Sequence, residues 1–223
     1  LIARQADKLT VHAVGHSAGS IFHSHFLPLL AQRDVPIKTV HFLAPAVRND
    51  LFKQNLAPLL GRAIDSLTVF TMNKQREKAD SVASVYQKSL LYLVSRALED
   101  TDDTDILGLE ESLRRDPDTR QLFGLHGHPS RVAQVIWSPT RDSQSGNGST
   151  ALTHGGFDED PHTMESVLRR MLDLRHGETI EPFPDDGTRS ARQFWHGQFD
   201  WPENLEYLSK MARKRREYII CGT

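Results

Sequence analysis

The chain has 223 residues, of which 38% are hydrophobic and 25% are charged, and its 27 basic and 29 acidic residues give a formal net charge of -2. This composition is typical of a globular protein and argues against a largely disordered or collagen-like chain. The near balance of charge gives no bulk indication of nucleic acid or a membrane surface as a partner, and the single cysteine, Cys221, excludes an intrachain disulfide framework and a Cys-rich zinc site.

Short apolar segments alternate with helical patterns along most of the chain. The predicted strands are residues 9–14, 37–43, 66–72 and 131–137. The predicted helices are residues 18–30, 50–60, 81–98 and 109–115, with a last one beginning at the N-cap Asp160 and Pro161. Pro58 is expected to end or kink the second of these helices. The polar residues 143–150 predict a mobile loop.

Strands that alternate with helices predict an α/β fold, with a mostly parallel sheet covered by helices on both faces. We assign residues 1–176 to this core. Residues 177–223 are rich in aromatic side chains and are assigned to an extension that contains a helix at 203–218. The basic run 213–216 is typical of a solvated helix end, with contact to phosphate as the alternative.

Gly15, His16, Ser17, Ala18 and Gly19 form a Gly-x-Ser-x-Gly motif between the first predicted strand and the first predicted helix. At such a junction a sharp turn exposes the serine hydroxyl, and the flanking glycines leave room for a strained backbone. The amide of Ala18 is then placed to bind a developing oxyanion. The alternative is a glycine-rich turn of another doubly wound fold. A phosphate-binding turn is disfavoured because its glycine and lysine patterns are absent.

The motif and the strand-helix alternation resemble the lipase- and esterase-like branch of the α/β-hydrolase family. A further point of resemblance is Thr153-His154-Gly155-Gly156-Phe157, which follows the last predicted strand. The resemblance covers about residues 9–175 and implies a serine nucleophile, an acid and a histidine in that chain order. It implies a small-molecule acyl substrate, and neither a cofactor nor a metal is expected.

His154 and His162 lie beyond the last predicted strand, on the edge of a parallel sheet where active sites form, and are the two candidates among the eleven histidines. His162 falls in the first turn of the last helix, which is typical of a solvated side chain. We therefore interpret His154 as the general base, with His162 as the alternative. His12 and His41 lie within predicted strands and are interpreted as packed or hydrogen-bonded core residues.

For the acid, Asp80 follows the third predicted strand on the same edge of the sheet, and a plain helix N-cap is its alternative role. Asp142 is the reserve candidate. Asp65 precedes the third strand and is expected at the opposite edge. The acidic residues 100–105 are interpreted as a solvated turn, with a calcium site as a remote alternative.

The implied mechanism is cleavage of a carboxylic ester or a related acyl bond. His154 removes the Ser17 proton as Ser17 attacks the acyl carbonyl, while Asp80 holds the imidazole tautomer, and water clears the acyl-enzyme. A thioesterase, an acyltransferase or a peptidase would use the same residues. A catalytically silent hydrolase-like module that binds a partner is the alternative from another class.

Only eight residues precede the first predicted strand, whereas the family places several strands before it. We therefore expect the N-terminal strands, and the loop that donates the second oxyanion hydrogen bond, to come from a longer chain or from another chain. The first strand is otherwise left as an exposed apolar edge. Residues 1–8 lack the apolar centre of a signal peptide, and no apolar run has the roughly 18 residues of a membrane span, so a cytoplasmic location is expected.

Overall fold

A sheet of five strands forms the centre of the computed structural model, which describes residues 10–80, 90–99, 104–180 and 217–222. The strands are β1 (Thr10–His16), β2 (Ile37–Leu43), β3 (Ile64–Met72), β4 (Ala133–Ser138) and β5 (Glu217–Gly222). Their order across the sheet is β4-β3-β2-β1-β5, and each neighbouring pair is parallel. The predicted α/β class with a parallel sheet is confirmed.

Seven α-helices lie in the described residues. They are α1 (Gly19–Ala31), α2 (Asn49–Asn55), α3 (Lys74–Ala79), α4 (Leu90–Leu93), α5 (Glu110–Arg115), α6 (Pro117–Leu122) and α7 (Pro161–Met171). A π-helical turn, Val94–Leu98, continues α4, and 3-10 turns occur at Ala57–Leu59, Ser143–Ser145 and His154–Gly156.

The sheet is covered on both faces by apolar side chains of helices. On one face, side chains such as Leu27 of α1, Phe52 of α2 and Leu113 of α5 pack against the strands. On the other face lies α7, whose predicted apolar stripe is buried and consists of Met164, Val167, Leu168, Met171 and Leu172. These two layers fix the carboxyl ends of β1 to β4 relative to the loops that follow them.

Several local predictions agree with the structure. Strand β2 has the predicted bounds. The helix predicted at 50–60 ends at Asn55, before the 3-10 turn that contains Pro58. The Asp160 side chain accepts a hydrogen bond from the Thr163 amide and caps α7 as expected. Helices α3 and α6, of six residues each, were not predicted.

Residues 143–150 form a loop, as predicted, and this loop is held by contacts with the rest of the structure. Ser143 and Ser149 are buried, and Thr140 and Ser149 exchange backbone hydrogen bonds of 2.7 Å. The Ser166 hydroxyl of α7 accepts a bond from the Gly148 amide and donates one to the Gly148 carbonyl. Polar groups of this loop form hydrogen bonds with side chains of α7.

The end of the predicted helix 203–218 is corrected, because Glu217 and Tyr218 belong to β5. Strand β5 pairs with β1 along its length, from Thr10 opposite Glu217 to Gly15 opposite Gly222. Strand β1 is therefore not the exposed edge that the sequence predicts. The run Tyr218 to Cys221 is rich in residues that favour strands, and the pairing with β1 satisfies the backbone groups of both strands.

Other predictions lie outside the described residues. These are most of the predicted helix 81–98, the possible N-cap role of Asp80 toward that helix, the acidic residues 100–103 and the extension at 181–216. Within the described part, the helix at 81–98 is represented by α4 and the π-helical turn.

Two strand histidines form a buried hydrogen-bonded cluster, as predicted. His12 Nδ1 and His41 Nε2 lie 2.6 and 2.8 Å from the Thr39 hydroxyl. Burial, aided by Lys38, lowers the pKa of His12 to about 4. Burial also lowers the pKa of His41 well below its ordinary value, with Arg170 as a further cause. Both imidazoles are neutral in the native protein at pH 7.

A pH dependence of stability follows from these lowered pKa values. Between about pH 4 and 6.5 the unfolded chain binds a proton at His12 that the native protein does not, so the free energy of unfolding falls as the pH falls. We expect His12 alone to contribute a loss of about 2 kcal/mol between pH 8 and pH 5. Urea denaturation at several pH values measures this, and His12→Asn should have a shallower slope. An unchanged slope in His12→Asn would contradict the assignment.

Candidate active site

The motif serine lies at a sharp turn between β1 and α1. Strand β1 ends at His16 and α1 begins at Gly19. Ser17 has a φ of 50°, in the left-handed region that residues other than glycine rarely adopt. Such strain persists only where surrounding contacts impose it, and it is found disproportionately at functional sites.

The contacts that impose the turn converge on the Ser17 backbone. Its amide donates to the Leu43 carbonyl at 2.9 Å, which extends the β1–β2 pairing into the turn. Its carbonyl accepts from the Ser20 hydroxyl at 2.6 Å and from the Ala46 amide at 3.1 Å. The Ser20 hydroxyl in turn accepts from the Val47 amide at 3.0 Å. The loop after β2 and the first turn of α1 therefore hold Ser17 in place.

Gly15 is required because β1 and α1 approach each other closely at this point. A Cβ atom at position 15 would lie 2.8 Å from the His23 ring and 2.9 Å from the carbonyl carbon of Gly19. Both distances are shorter than real Cβ contacts. The glycine at the first motif position therefore permits the turn that presents Ser17.

The Ala18 amide has no hydrogen-bond acceptor within the part of the chain that the structure describes. Ala18 is exposed, next to Ser17 and just before α1. A free N–H beside the serine oxygen, at the positive end of a helix dipole, can bind an oxygen on which negative charge develops. In the neighbouring β5, Gly222 lies opposite Gly15, so the carboxyl end of this strand is also at the turn.

The His154 ring reaches Ser17 from the loop between β4 and α7. Its Nε2 atom lies 2.8 Å from the Ser17 Oγ, although the two residues are 137 positions apart in sequence. His154 begins a 3-10 turn and is buried, with 7% of its surface exposed. The distance lets the serine hydroxyl donate to the imidazole, as a nucleophile and its base require.

The loop that carries His154 is fixed at both of its ends. The Ser138 hydroxyl, at the end of β4, donates to the Ala151 carbonyl at 2.6 Å. The Asp160 carboxylate accepts from the amide and hydroxyl of Thr150 and from those of Thr163. Asp160 therefore caps α7 and holds the loop at Thr150, four residues before His154. A side chain on such a loop keeps a defined position.

Asp80 is brought to His154 through the main chain. One carboxylate oxygen accepts a hydrogen bond of 2.9 Å from the His154 backbone amide. The ring Nδ1 atom of His154, which an orienting acid would contact, is buried and has no hydrogen-bond partner among the described residues. In this geometry Asp80 anchors the backbone of the histidine, and its role as the orienting acid stays a prediction.

The other candidates lie elsewhere. His162 lies in the first turn of α7, and its ring Nδ1 atom is 3.2 Å from the Ser143 hydroxyl. The Asp142 carboxylate accepts from the Ser145 hydroxyl at 2.5 Å. Both residues are engaged with the 3-10 turn Ser143–Ser145 rather than with Ser17.

Burial determines the charge of the His154 ring. It lowers the pKa of His154 to about 3, and the nearby His16 contributes to the same shift. The imidazole is consequently neutral at pH 7. A neutral imidazole can accept the serine proton, whereas a protonated one cannot.

The motif itself assigns no role to His16, the residue at its second position. In the structure its Nε2 lies 2.9 Å from the His154 carbonyl oxygen, and its ring stacks on the His154 ring at a centroid distance of 5.4 Å. Its Nδ1 lies 3.7 Å from the Asp158 carboxylate. No local pattern indicates these contacts, because they join residues about 140 positions apart.

A separate cavity of about 530 Å³ lies among α3, the π-helical turn and α5, and neither Ser17 nor His154 lines it. Its charged residues are largely paired with one another. Lys74 forms an ion pair with Glu111, and Arg114 with Glu110. The candidate site is therefore the Ser17–His154 pair and not this cavity.

In the described residues, none of the helices has the length and apolar character to cross a membrane, and no group of three or more potential metal ligands occurs. Comparisons with protein-family models, with curated proteins and with solved structures found no match for this chain. The functional argument therefore depends on the geometry of the site.

The tight contact at Gly15 gives a testable difference between two glycines. We expect Gly15→Ala to lower the free energy of unfolding by about 1–3 kcal/mol, because the new methyl group overlaps β1 and α1. Gly155→Ala is the matched control, since no atom lies within 4 Å of the Cβ position there. Urea denaturation measures both variants. Equal stability of the two would contradict the proposed role of Gly15.

Proposed function

We propose that this chain carries the nucleophile and general base of a serine hydrolase that cleaves a carboxylic ester or a related acyl bond. The observation that carries the proposal is the 2.8 Å separation of Ser17 Oγ and His154 Nε2, with Ser17 at a φ of 50° between a strand and a helix. A serine so strained and so paired is the arrangement that nucleophilic catalysis requires.

In the first step the Ser17 oxygen attacks the acyl carbonyl carbon, and the Ser17 proton passes to Nε2 of the neutral His154. The negative charge that develops on the carbonyl oxygen is bound by the Ala18 amide. Collapse of the tetrahedral intermediate breaks the bond to the leaving alcohol, which takes the proton back from His154. The products are an ester of Ser17 and a free alcohol.

In the second step a water molecule takes the place of the alcohol. His154 accepts a proton from the water as its oxygen attacks the acyl-enzyme, and the proton then returns to Ser17 Oγ. The carboxylic acid leaves and the free enzyme is restored.

We expect the carboxyl end of β5 to carry the second oxyanion donor, since the backbone amides of Ala44, Ala46 and Val47 at the end of β2 already have acceptors.

We also propose that Asp80 supports the positive charge of His154 during the reaction. Its carboxylate already contacts the amide of this residue. The proton that His154 gains is buried and needs a nearby negative charge, because burial, aided by His16, lowers the pKa of this ring to about 3. Under this proposal the Asp80 carboxylate, which is hydrogen-bonded to the His154 backbone amide, supplies that charge.

Other acyl-transfer enzymes remain as narrower alternatives. A thioesterase, an acyltransferase and a peptidase would use Ser17 and His154 in the same steps and differ in the leaving group or the acceptor. Relative rates on a p-nitrophenyl ester, a thioester and an amide of the same acyl group distinguish them. The binding module is a second candidate, favoured if the folded protein reacts with none of these and with no serine-directed probe.

The nucleophile and base are tested with a fluorophosphonate, which reacts with activated serines. We expect the folded protein to be labelled, Ser17→Ala not to be labelled, and His154→Ala to be labelled at least about a hundredfold more slowly, because general base catalysis is lost. In-gel fluorescence and intact mass measure the rates.

The matched controls are Ser145→Ala, which removes an exposed serine, and His162→Ala, which removes the other candidate histidine. Both should be labelled at the wild-type rate. Labelling that survives Ser17→Ala would overturn the assignment of the nucleophile.

Asp80→Asn separates the two roles of Asp80. An asparagine oxygen can still accept the hydrogen bond from the His154 amide, so the backbone anchor is kept while the charge is removed. We expect kcat/KM for an ester to fall by about a hundredfold to ten-thousandfold with little change in thermal stability. A fall of less than about threefold would show that Asp80 only anchors the backbone and is not the acid.

A further inference from the structure

We propose that His16 is a positioning residue for the base His154, and that Asp158 orients His16. This inference rests on the proposed function, because positioning matters for catalysis only if His154 acts on Ser17. It assigns a role to the second motif position, which the nucleophile motif itself leaves free.

His16 contacts His154 in two ways. Its Nε2 is 2.9 Å from the His154 carbonyl oxygen, and its ring stacks on the His154 ring with an angle of 29° between the planes. A carbonyl oxygen can only accept, so the His16 Nε2 must carry the proton and donate it. The ring of His16 is thereby fixed against both the backbone and the side chain of the base.

His16 and Asp80 together hold the two backbone polar groups of His154. Asp80 accepts from its amide, and His16 donates to its carbonyl. The two following residues, Gly155 and Gly156, leave the backbone free to adopt many conformations. The hydrogen bonds at the His154 amide and carbonyl restrict this freedom. They thereby fix the distance between Ser17 Oγ and His154 Nε2, on which proton transfer depends.

Asp158 lies on the far side of the His16 ring. Its carboxylate is 3.7 Å from His16 Nδ1, and the two side chains are only 16% and 12% exposed. At this distance the contact is an electrostatic one or is bridged by water. The His154 carbonyl at Nε2, together with the Asp158 carboxylate or a water that bridges it to Nδ1, holds the ring of His16 from two sides.

The position of His16 in the chain explains why it can act in this way. It is the last residue of β1, directly before the strained Ser17, so the sheet fixes its backbone. His16 thus links the rigid strand that presents the nucleophile to the loop that presents the base. A shift of the loop relative to the strand would break its hydrogen bond to His154.

Substitutions at position 16 separate the hydrogen bond from the ring. His16→Gln keeps an N–H donor near the Nε2 position, whereas His16→Phe keeps an aromatic ring and lacks a donor. We expect kcat for an ester substrate to fall about tenfold to a hundredfold in His16→Phe, with KM changed less than about threefold, because a displaced base affects the chemical step. His16→Gln should retain kcat within about fivefold of wild type.

Two further variants complete the kinetic test. Asp158→Leu, which cannot orient His16, should lower kcat in the same direction as His16→Phe, and to a smaller extent. His25→Gln changes an exposed histidine on α1 and is the matched control with wild-type kcat. Equal kcat in His16→Gln and His16→Phe, or a loss that follows the melting temperature across the series, would overturn the proposal.

A spectroscopic measurement tests the contact without activity. The ¹⁵N resonances of the His154 ring, assigned by their loss in His154→Ala, should move in His16→Phe and stay near their wild-type positions in His16→Gln. If the wild-type protein neither hydrolyses esters nor reacts with a fluorophosphonate, the proposed function fails, and these spectra still decide whether His16 positions His154. Resonances that move equally in both variants would refute the hydrogen-bonded contact.

Discussion

The close approach of β1 and α1 at Gly15 and Gly19 is the constraint on which the site depends. Without a side chain at position 15 the strand can turn directly into the helix, and Ser17 is placed at a φ of 50°. The strain is balanced by hydrogen bonds from Ser20 and Ala46 to the Ser17 carbonyl. Any side chain that separated strand and helix would release the turn and move the nucleophile.

His154 is held by a different kind of constraint, a set of hydrogen bonds from separate elements. Asp160 fixes the loop at the start of α7, Asp80 accepts from the His154 amide, and His16 contacts the His154 carbonyl. The apolar face of α7 packs against the sheet, and the loop that carries His154 is bonded to the start of α7. The position of this loop therefore depends on the packed core. The site therefore joins a turn set by backbone packing to a loop set by polar contacts.

The sequence predicts the parts of this arrangement that local patterns determine. The apolar run 37–43 identifies β2. The Gly-x-Ser-x-Gly motif selects Ser17 and the edge rule for parallel sheets selects His154, and the structure brings the two side chains to 2.8 Å. Helix α6 begins with Asp116 and Pro117, the same signal that locates α7, and could have been found. The pairing of β5 with β1 and the contact of His16 with His154 join distant residues, and no local periodicity reports them.

The crystal structure of the chain after reaction with a phosphonate tests the central claim most directly. The account predicts a bond between phosphorus and Ser17 Oγ, with a phosphoryl oxygen accepting a hydrogen bond from the Ala18 amide and His154 Nε2 still next to Oγ. An adduct on another residue, or a folded protein that forms no adduct, would contradict it.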